Sequence, residues 1–403
     1  MPNPIIENER LSGARNYDPL PVVLVRGEGV FVWDDAGNRY IDMMSAYSAV
    51  SHGHCHPVLV KVLQEQAAKL AIVSRAFYTD KLGAFLNLAC ELTGFARALP
   101  MNTGAEAVET ALKAARKWAY TVKGVAKDKA EIIACAGNFH GRTITIVGLS
   151  TIPQYRAGFG PFPEGLKVIP YGDPLELEKA ITPHTAAFLV EPLQGEGGII
   201  VPRAGYLKAC ADICKKHNVL MICDEIQTGL GRTGKLLAYQ HEDIQPDGIV
   251  LGKALGGGLL PVSLFLSRKE VMDVFTPGDH GSTFGGNPLA AAVGKAALEI
   301  LFRENLIERA ATMGKYFQEQ LRTLHSSLIK EVRGKGLLIG LEVNDSYSAH
   351  ELCLKLLKHG ILTKETHQTV IRFAPPLIIE KEQIDTVIHA LREVFVEAEK
   401  ELA

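Results

Sequence analysis

Through the middle of the chain, short apolar runs alternate with amphipathic stretches. Ile132-Ile133-Ala134-Cys135, Ala187-Phe188-Leu189-Val190, Val219 to Cys223 and Gly248 to Leu251 are uninterrupted apolar segments. Runs this short predict strands buried on both faces, and the helical patterns between them predict a mainly parallel, doubly wound sheet from about Ser45 to Gly286. Before Ser45 the pattern shortens. Val30-Phe31-Val32-Trp33 and Tyr40-Ile41, broken by polar turns, predict a small antiparallel hairpin system. After about Leu289 a long helical stretch leads into an α+β unit with strands at Leu337 to Val343 and Val370 to Phe373 and a last helix at Ile384 to Glu399. The expected domains are residues 1–45, packing with the small domain, 46–288 and 289–403.

One helix can be placed in detail. Thr103-Gly104-Ala105-Glu106 fits a capping box, and Val108, Leu112, Ala115 and Ala119 follow on one helical face. The free N–H groups at such a helix start can hold a phosphate, although an ordinary capped helix explains the same residues.

Composition narrows the function. With 403 residues, 47% of them hydrophobic, the chain is an ordinary globular protein of more than one core. A net charge of -2 and no long basic stretch argue against nucleic acid and anionic membrane surfaces as partners. Met1-Pro2-Asn3-Pro4 does not begin a secretory signal, and the apolar stretch from Gly248 to Ser267 is interrupted by Lys253, glycines and Pro261, as buried core and turns would be. Seven scattered cysteines suit a reducing cytoplasm.

Candidate chemistry begins at Lys253, where the apolar run Gly248 to Leu251 meets the turn Gly256-Gly257-Gly258. A desolvated lysine disfavours its own charge, and the neutral amine is a nucleophile toward a carbonyl cofactor. Asp224 ends the apolar run Val219 to Cys223, where a carboxylate can pair with a protonated ring nitrogen. Lysine plus aspartate is the minimum equipment for pyridoxal 5'-phosphate. Taken singly, a snorkelling lysine and a helix-capping aspartate explain them as well. Gly229-Leu230-Gly231-Arg232-Thr233-Gly234 matches the dinucleotide fingerprint, but Asp224 to Thr228 separate it from its strand. The same segment with Lys235 approaches a phosphate-binding loop, but Leu236 replaces the required hydroxyl. His52, His54 and His56 lack carboxylate or cysteine partners in sequence, so no metal site is expected.

In order along the chain, Asn102-Thr103-Gly104, Glu191-Pro192, Asp224 to Gly229, Lys253 to Gly258 and Ser282 to Pro288 resemble the class III PLP-dependent aminotransferases. The resemblance implies PLP fold type I, an α/β large domain with a mostly parallel seven-stranded sheet, a smaller α+β domain and a homodimer with shared active sites. It implies that Lys253 binds the cofactor covalently and shuttles a proton, and that Asp224 pairs with the ring nitrogen. Gln227 would bond the phenolate oxygen and Phe139 stack on the ring. Gly104 and Ala105 would hold the phosphate, with Ser282 and Thr283 reaching the neighbouring subunit's phosphate.

Gly13 to Pro21, Ser74 to Tyr78 and Ile371 to Pro376 resemble the ornithine δ-aminotransferases within that family. The implied reaction joins L-ornithine and 2-oxoglutarate. Arg142 would clamp ornithine's α-carboxylate, Tyr17 its α-amine, and Tyr47 would line the substrate site. Glu196 and Arg372 would form the switch that admits two unlike donors. Acetylornithine or 4-aminobutyrate aminotransferase and a PLP aminomutase are the alternatives. His140 stands where animal members carry tryptophan and is expected to affect substrate access.

Overall fold

The computed structural model describes residues 3–403. Leu24–Glu28 (β1), Phe31–Asp34 (β2) and Arg39–Asp42 (β3) form an antiparallel meander. The central sheet contains Arg97–Met101 (β4), Glu131–Cys135 (β5), Leu166–Ile169 (β6), Thr185–Val190 (β7), Leu220–Asp224 (β8), Gly248–Leu251 (β9) and Ser263–Ser267 (β10). Its order is β4-β10-β9-β8-β7-β5-β6, and only β10 runs against the others. The fold is therefore the mainly parallel, doubly wound α/β sheet that the apolar runs predict. β4, β6 and β10 were not legible from those runs: β4 contains Pro100, and β6 alternates with a lysine.

Successive residues of the inner strands enter different cores. Phe188, Val190, Met221 and Cys223 join the larger one, while Ala187, Leu189, Leu220 and Ile222 join the core under the Gly104–Trp118 helix. This two-residue period explains why the strands are apolar throughout.

After the helices Pro288–Arg303 and Leu306–Arg322 come Ile329–Lys335 (β11), Leu338–Val343 (β12), Ile361–Leu362 (β13), Lys364–Thr366 (β14) and Val370–Phe373 (β15), then the helix Lys381–Leu402. β11, β12, β15 and β14 make an antiparallel sheet, and β13 pairs in parallel with β3. The chain's two ends thus share a sheet.

The dinucleotide-like segment makes a staple instead of a nucleotide cradle. Arg232 is fully buried; Nη1 donates to the carbonyls of Leu337 (3.0 Å) and Pro375 (2.5 Å), and Nη2 to Ser51 Oγ (2.9 Å). Burial pulls its guanidinium down to about 9. The three histidines likewise have separate partners: His52 meets the Ala297 carbonyl, His54 meets Asp42 and His56 meets Glu304. Among the described residues no cluster suited to a metal ion forms, and no helix is long and apolar enough to cross a membrane.

Candidate active site

The carboxyl ends of parallel strands in a doubly wound sheet open onto a crevice where loops diverge. Here Thr103-Gly104 follows β4, Phe139 and His140 follow β5, Glu191 follows β7, Asp224 ends β8 and Lys253 follows β9. Gly104, Ala105, Phe139, His140, Glu191, Asp224, Gln227 and Lys253 line one cavity of about 190 Å³. That space suits one flat ring and is too small for a dinucleotide.

One end of the cavity is the start of the Gly104–Trp118 helix. Thr103 caps it: its hydroxyl accepts from Glu106 N–H at 3.2 Å, and Glu106 reaches back to Thr103 N–H at 2.7 Å. The capping box fixes the turn while leaving the Gly104 and Ala105 N–H groups toward the cavity, as an anion requires. Across the cavity, Asp224 is 4% exposed; Oδ1 accepts from Ile226 N–H at 3.0 Å and Oδ2 lies 2.6 Å from His140 Nδ1. Burial disfavours the charged imidazole, yet the bond and charge of Asp224, helped by Glu191, raise its pKa overall. His140 is part of the cavity lining. Its ring is 2% exposed and bonds Asp224 within the cavity wall.

Lys253 sits in a left-handed conformation at φ 43°, which for a non-glycine residue marks backbone held by its surroundings. Burial is the main influence lowering its amine's pKa; Arg372 adds to it, and Glu196, Asp224 and Glu191 oppose it. Glu191 is fully enclosed. Burial pushes its carboxyl up to about 7, although it accepts from Phe139 N–H (3.1 Å) and Gly195 N–H (3.3 Å).

At the mouth, Arg372 on β15 is 1% exposed and pairs with Glu196. Gln227 Nε2 lies 3.4 Å from the same carboxylate and 3.5 Å from the Tyr47 carbonyl. The Arg372 guanidinium stands 4.8 Å from the Tyr47 ring centre. Tyr47 reaches this place because Ser45, Ala46, Tyr47 and Ser48 all adopt positive φ, a run no glycine announces.

The remaining expected residues lie farther out. Arg142 is exposed and packs on Tyr155 at 3.4 Å and Phe139 at 5.5 Å from the ring centres. Tyr17 is 77% exposed and influences Tyr47 only through space. Ser282 Oγ accepts from Asn102 Nδ2 of the same chain at 2.9 Å, while Thr283 is exposed. Tyr155 and Thr366, whose hydroxyl donates to the Glu196 carbonyl at 2.6 Å, carried no sequence signal. Glu191 entered the sequence reading only within the Glu191-Pro192 motif of the family resemblance, with no role assigned.

Anion-binding helix start, apolar ring face, buried carboxylate and poorly solvated lysine together fit pyridoxal 5'-phosphate. His140 Nε2 is buried and without a hydrogen-bond partner among the described residues.

The family model described as aminotransferase class-III matches residues 12–395. The chain is 54% identical over 393 residues to an ornithine aminotransferase of Brevibacillus brevis, covering 98% of each. It is 57% identical over 383 residues to one from a Geobacillus species, covering 95% of this chain and 96% of the relative. Among solved structures, the ornithine aminotransferase of Toxoplasma gondii has a TM-score of 0.97 at 46% identity, covering 98% of this chain and 95% of that one. An acetylornithine aminotransferase from Elizabethkingia anophelis has a TM-score of 0.88 at 50% identity, covering 98% of each. Sequence order, sheet topology and cavity agree with these matches: the chain belongs to the class III aminotransferases.

Proposed function

We propose that the protein is an ornithine δ-aminotransferase. It moves the δ-amino group of L-ornithine to 2-oxoglutarate, giving L-glutamate 5-semialdehyde and L-glutamate in two half-reactions at one site. The observation that carries this reading is the Glu196–Arg372 pair beside Lys253. Glutamate reacts at its α-amine and needs an arginine for the adjacent carboxylate; ornithine reacts at its δ-amine and brings no carboxylate there. A paired arginine that can be uncovered serves both donors. The relatives named ornithine aminotransferase support the same reading.

Pyridoxal 5'-phosphate, the cofactor of class III aminotransferases, supplies an aldehyde for the amine and an electron-poor ring. Lys253 Nζ, its charge disfavoured by burial, takes a proton from the substrate carbon and gives one back. Asp224 would hold a proton on the ring nitrogen, and the Gly104 and Ala105 N–H groups would hold the phosphate, with Phe139 covering the ring and Gln227 bonding the phenolate oxygen. Arg142 forks onto ornithine's α-carboxylate, Tyr17 takes the α-amine, and Tyr47 walls the pocket.

The assembly is a homodimer whose shared sites place Ser282 and Thr283 toward the neighbour's phosphate. Phe77, Tyr78 and Phe284, all more than half exposed on the single chain, supply apolar surface for it. Sedimentation finding an active monomer would end this part. Seven free thiols support a cytoplasmic protein. The shared terminal sheet supports dividing the chain at 45 and 288.

An amine-donor screen of the purified, cofactor-loaded protein tests the activity. L-Ornithine should outperform N-acetylornithine and 4-aminobutyrate, with one 2-oxoglutarate consumed per amine. Preference for another donor, or conversion without consuming an oxo acid, overturns the proposal.

A further inference from the structure

The loop at residues 194–200, which carries Glu196, follows β7 of the central sheet but docks on the β11-β12-β15-β14 sheet. Within itself it is a closed turn. Gln194 and Ile200 exchange backbone bonds at 3.1 and 2.9 Å, and the Gly195 carbonyl accepts from Gly198 and Ile199 N–H. The Glu196, Gly198 and Ile199 carbonyls find their partners on the other sheet. Thr366 on β14 donates to the first at 2.6 Å. Arg333 on β11 takes the other two: Nη2 donates to the Gly198 carbonyl at 2.7 Å, and Nε to Gly198 at 3.2 Å and Ile199 at 3.0 Å. Its Nη1 meets Glu331 at 2.8 Å and also Glu342.

The strand register explains how one sheet face can do this. Arg333 pairs with Gly340 on β12, and Gly340 pairs with Arg372 on β15. Directly paired residues share a face, so the two arginines stand in one cross-strand row with a glycine between them. Ile199 uses the room that glycine leaves: a Cβ on Gly340 would stand 3.0 Å from the Ile199 Cβ. Ile199 is fully buried, packs with Leu193, Leu338 and Ala374, and adopts φ 54°. A β-branched residue keeps a left-handed backbone only where its surroundings impose it. The backbone around Glu196 is therefore seated on the row that presents Arg372, while its carboxylate meets side chains alone, those of Arg372 and Gln227.

We propose that Arg333 is a positioning residue for donor selection. By gripping the Gly198 and Ile199 carbonyls it fixes the Glu196 backbone in register with Arg372, so that a change of donor moves the Glu196 side chain and not the loop. A guanidinium is required because one group serves two adjacent carbonyls and two carboxylates at once. The proposal rests on the Glu196–Arg372 reading given above and adds the residue that sets where that pair forms.

The test uses the full-length, cofactor-loaded protein and the variants Arg333→Met, Arg333→Lys and Glu196→Ala. Arg333→Met keeps an unbranched stem and leaves Glu342 its second cation, Lys330. Arg333→Lys keeps the charge but loses the fork, and takes over the test if thermal unfolding shows the methionine variant unfolded. Hydrogen exchange in the peptide spanning residues 194–200 should quicken about tenfold in either variant. In single turnovers the ornithine half-reaction should slow about tenfold, while the glutamate half-reaction stays within about twofold of wild type. Added to Glu196→Ala, the Arg333 substitution should leave the ratio of the two half-reactions unchanged, because both residues act through one contact. Unchanged exchange in the loop, equal loss for both donors, or a further change of ratio in the double variant overturns the proposal. Glu196→Ala alone tells the two failures apart. If it slows both donors equally, the switch reading has failed and this proposal falls with it. If it separates the donors and Arg333→Met does not, the role of Arg333 alone is wrong.

Discussion

The two ends of the cavity are built differently. The deep end, at Asp224 and Lys253, is made from strand ends of one seven-stranded sheet, with every connection anchored in the parallel core. The mouth, at Glu196 and Arg372, joins a loop after β7 to a strand of a different sheet and to the left-handed turn carrying Tyr47. A carboxylate on a strand end has one position. A carboxylate on a glycine-flanked loop, facing an arginine whose Nε has no hydrogen-bond partner among the described residues, has an alternative. The deep end is therefore suited to chemistry common to both donors, and the mouth to telling them apart.

The sharpest test of the deep end is Lys253→Ala. The variant should fold, and the phosphate site at Gly104 and Ala105 should still take up the cofactor. Turnover with either donor should fall by about four orders of magnitude, the upper end of what a positioned acid–base group contributes. Borohydride reduction and peptide mapping of the parent should place the cofactor on Lys253. Attachment at another lysine would break the comparison at its deep end.

At the mouth, Glu196→Ala should separate the donors. With Arg372 permanently uncovered, the ornithine half-reaction should slow about thirtyfold, equivalent to about 2 kcal/mol, or move to the α-amine. The glutamate half-reaction should hold or improve. Single-turnover spectra with each donor measure this. Equal loss for both would make the pair structural and erase the distinction between the ends.

The same contrast explains what the sequence made legible. Asp224 and Lys253 each adjoin an apolar run, so a period-two buried strand announces them locally. The capping box at Thr103 is equally local. The mouth depends on long-range pairing: Arg372 meets Glu196 across 176 positions, and Thr366 meets the same residue across 170. Spacing along the chain carries no trace of such contacts, and Glu196 and Arg372 were reached only through family resemblance. The Ser45–Ser48 turn was hidden for a different reason, because L-residues in that conformation are imposed by the surrounding fold. That the His140 ring turns toward Asp224 was not legible from its neighbourhood in sequence, beside Phe139.

Acid should distinguish the two ends by stability. His52 anchors the segment following Tyr47 to the Pro288–Arg303 helix through the Ala297 carbonyl. Burial is the main cause that pulls its pKa from 6.5 down to about 4, with the Ala297 bond opposing. Between those values the unfolded chain binds the extra proton, so this contribution is whole above pH 6.5 and is lost as pH falls toward 4. The loss amounts to roughly 3 kcal/mol. His52→Gln, unable to titrate, should flatten the acid limb of a stability–pH curve measured by denaturant unfolding. An acid limb identical to wild type would show that His52 does not set it.

The smallest effect is expected from Thr366→Val, and it sharpens the comparison most finely. Thr366 is 6% exposed, and its hydroxyl donates to the Glu196 carbonyl at 2.6 Å. The bond holds the backbone of the switch residue without touching its carboxylate or Arg372. Valine keeps the shape and removes the donor, leaving a carbonyl to find water or go unpaired, at a cost of about 1 kcal/mol. The β14–β15 pairing and Lys253 should be unaffected. If the mouth discriminates donors through the position of Glu196, loosening its backbone should change the ornithine-to-glutamate ratio of half-reaction rates by less than about fivefold, with the sum of rates nearly constant. Rapid-mixing measurements on both donors give that ratio directly. An unchanged ratio would mean that the carboxylate–arginine pair alone sets Glu196. A parallel fall in both rates would mean that the mouth is mechanically tied to the deep end, contrary to the division argued from their construction.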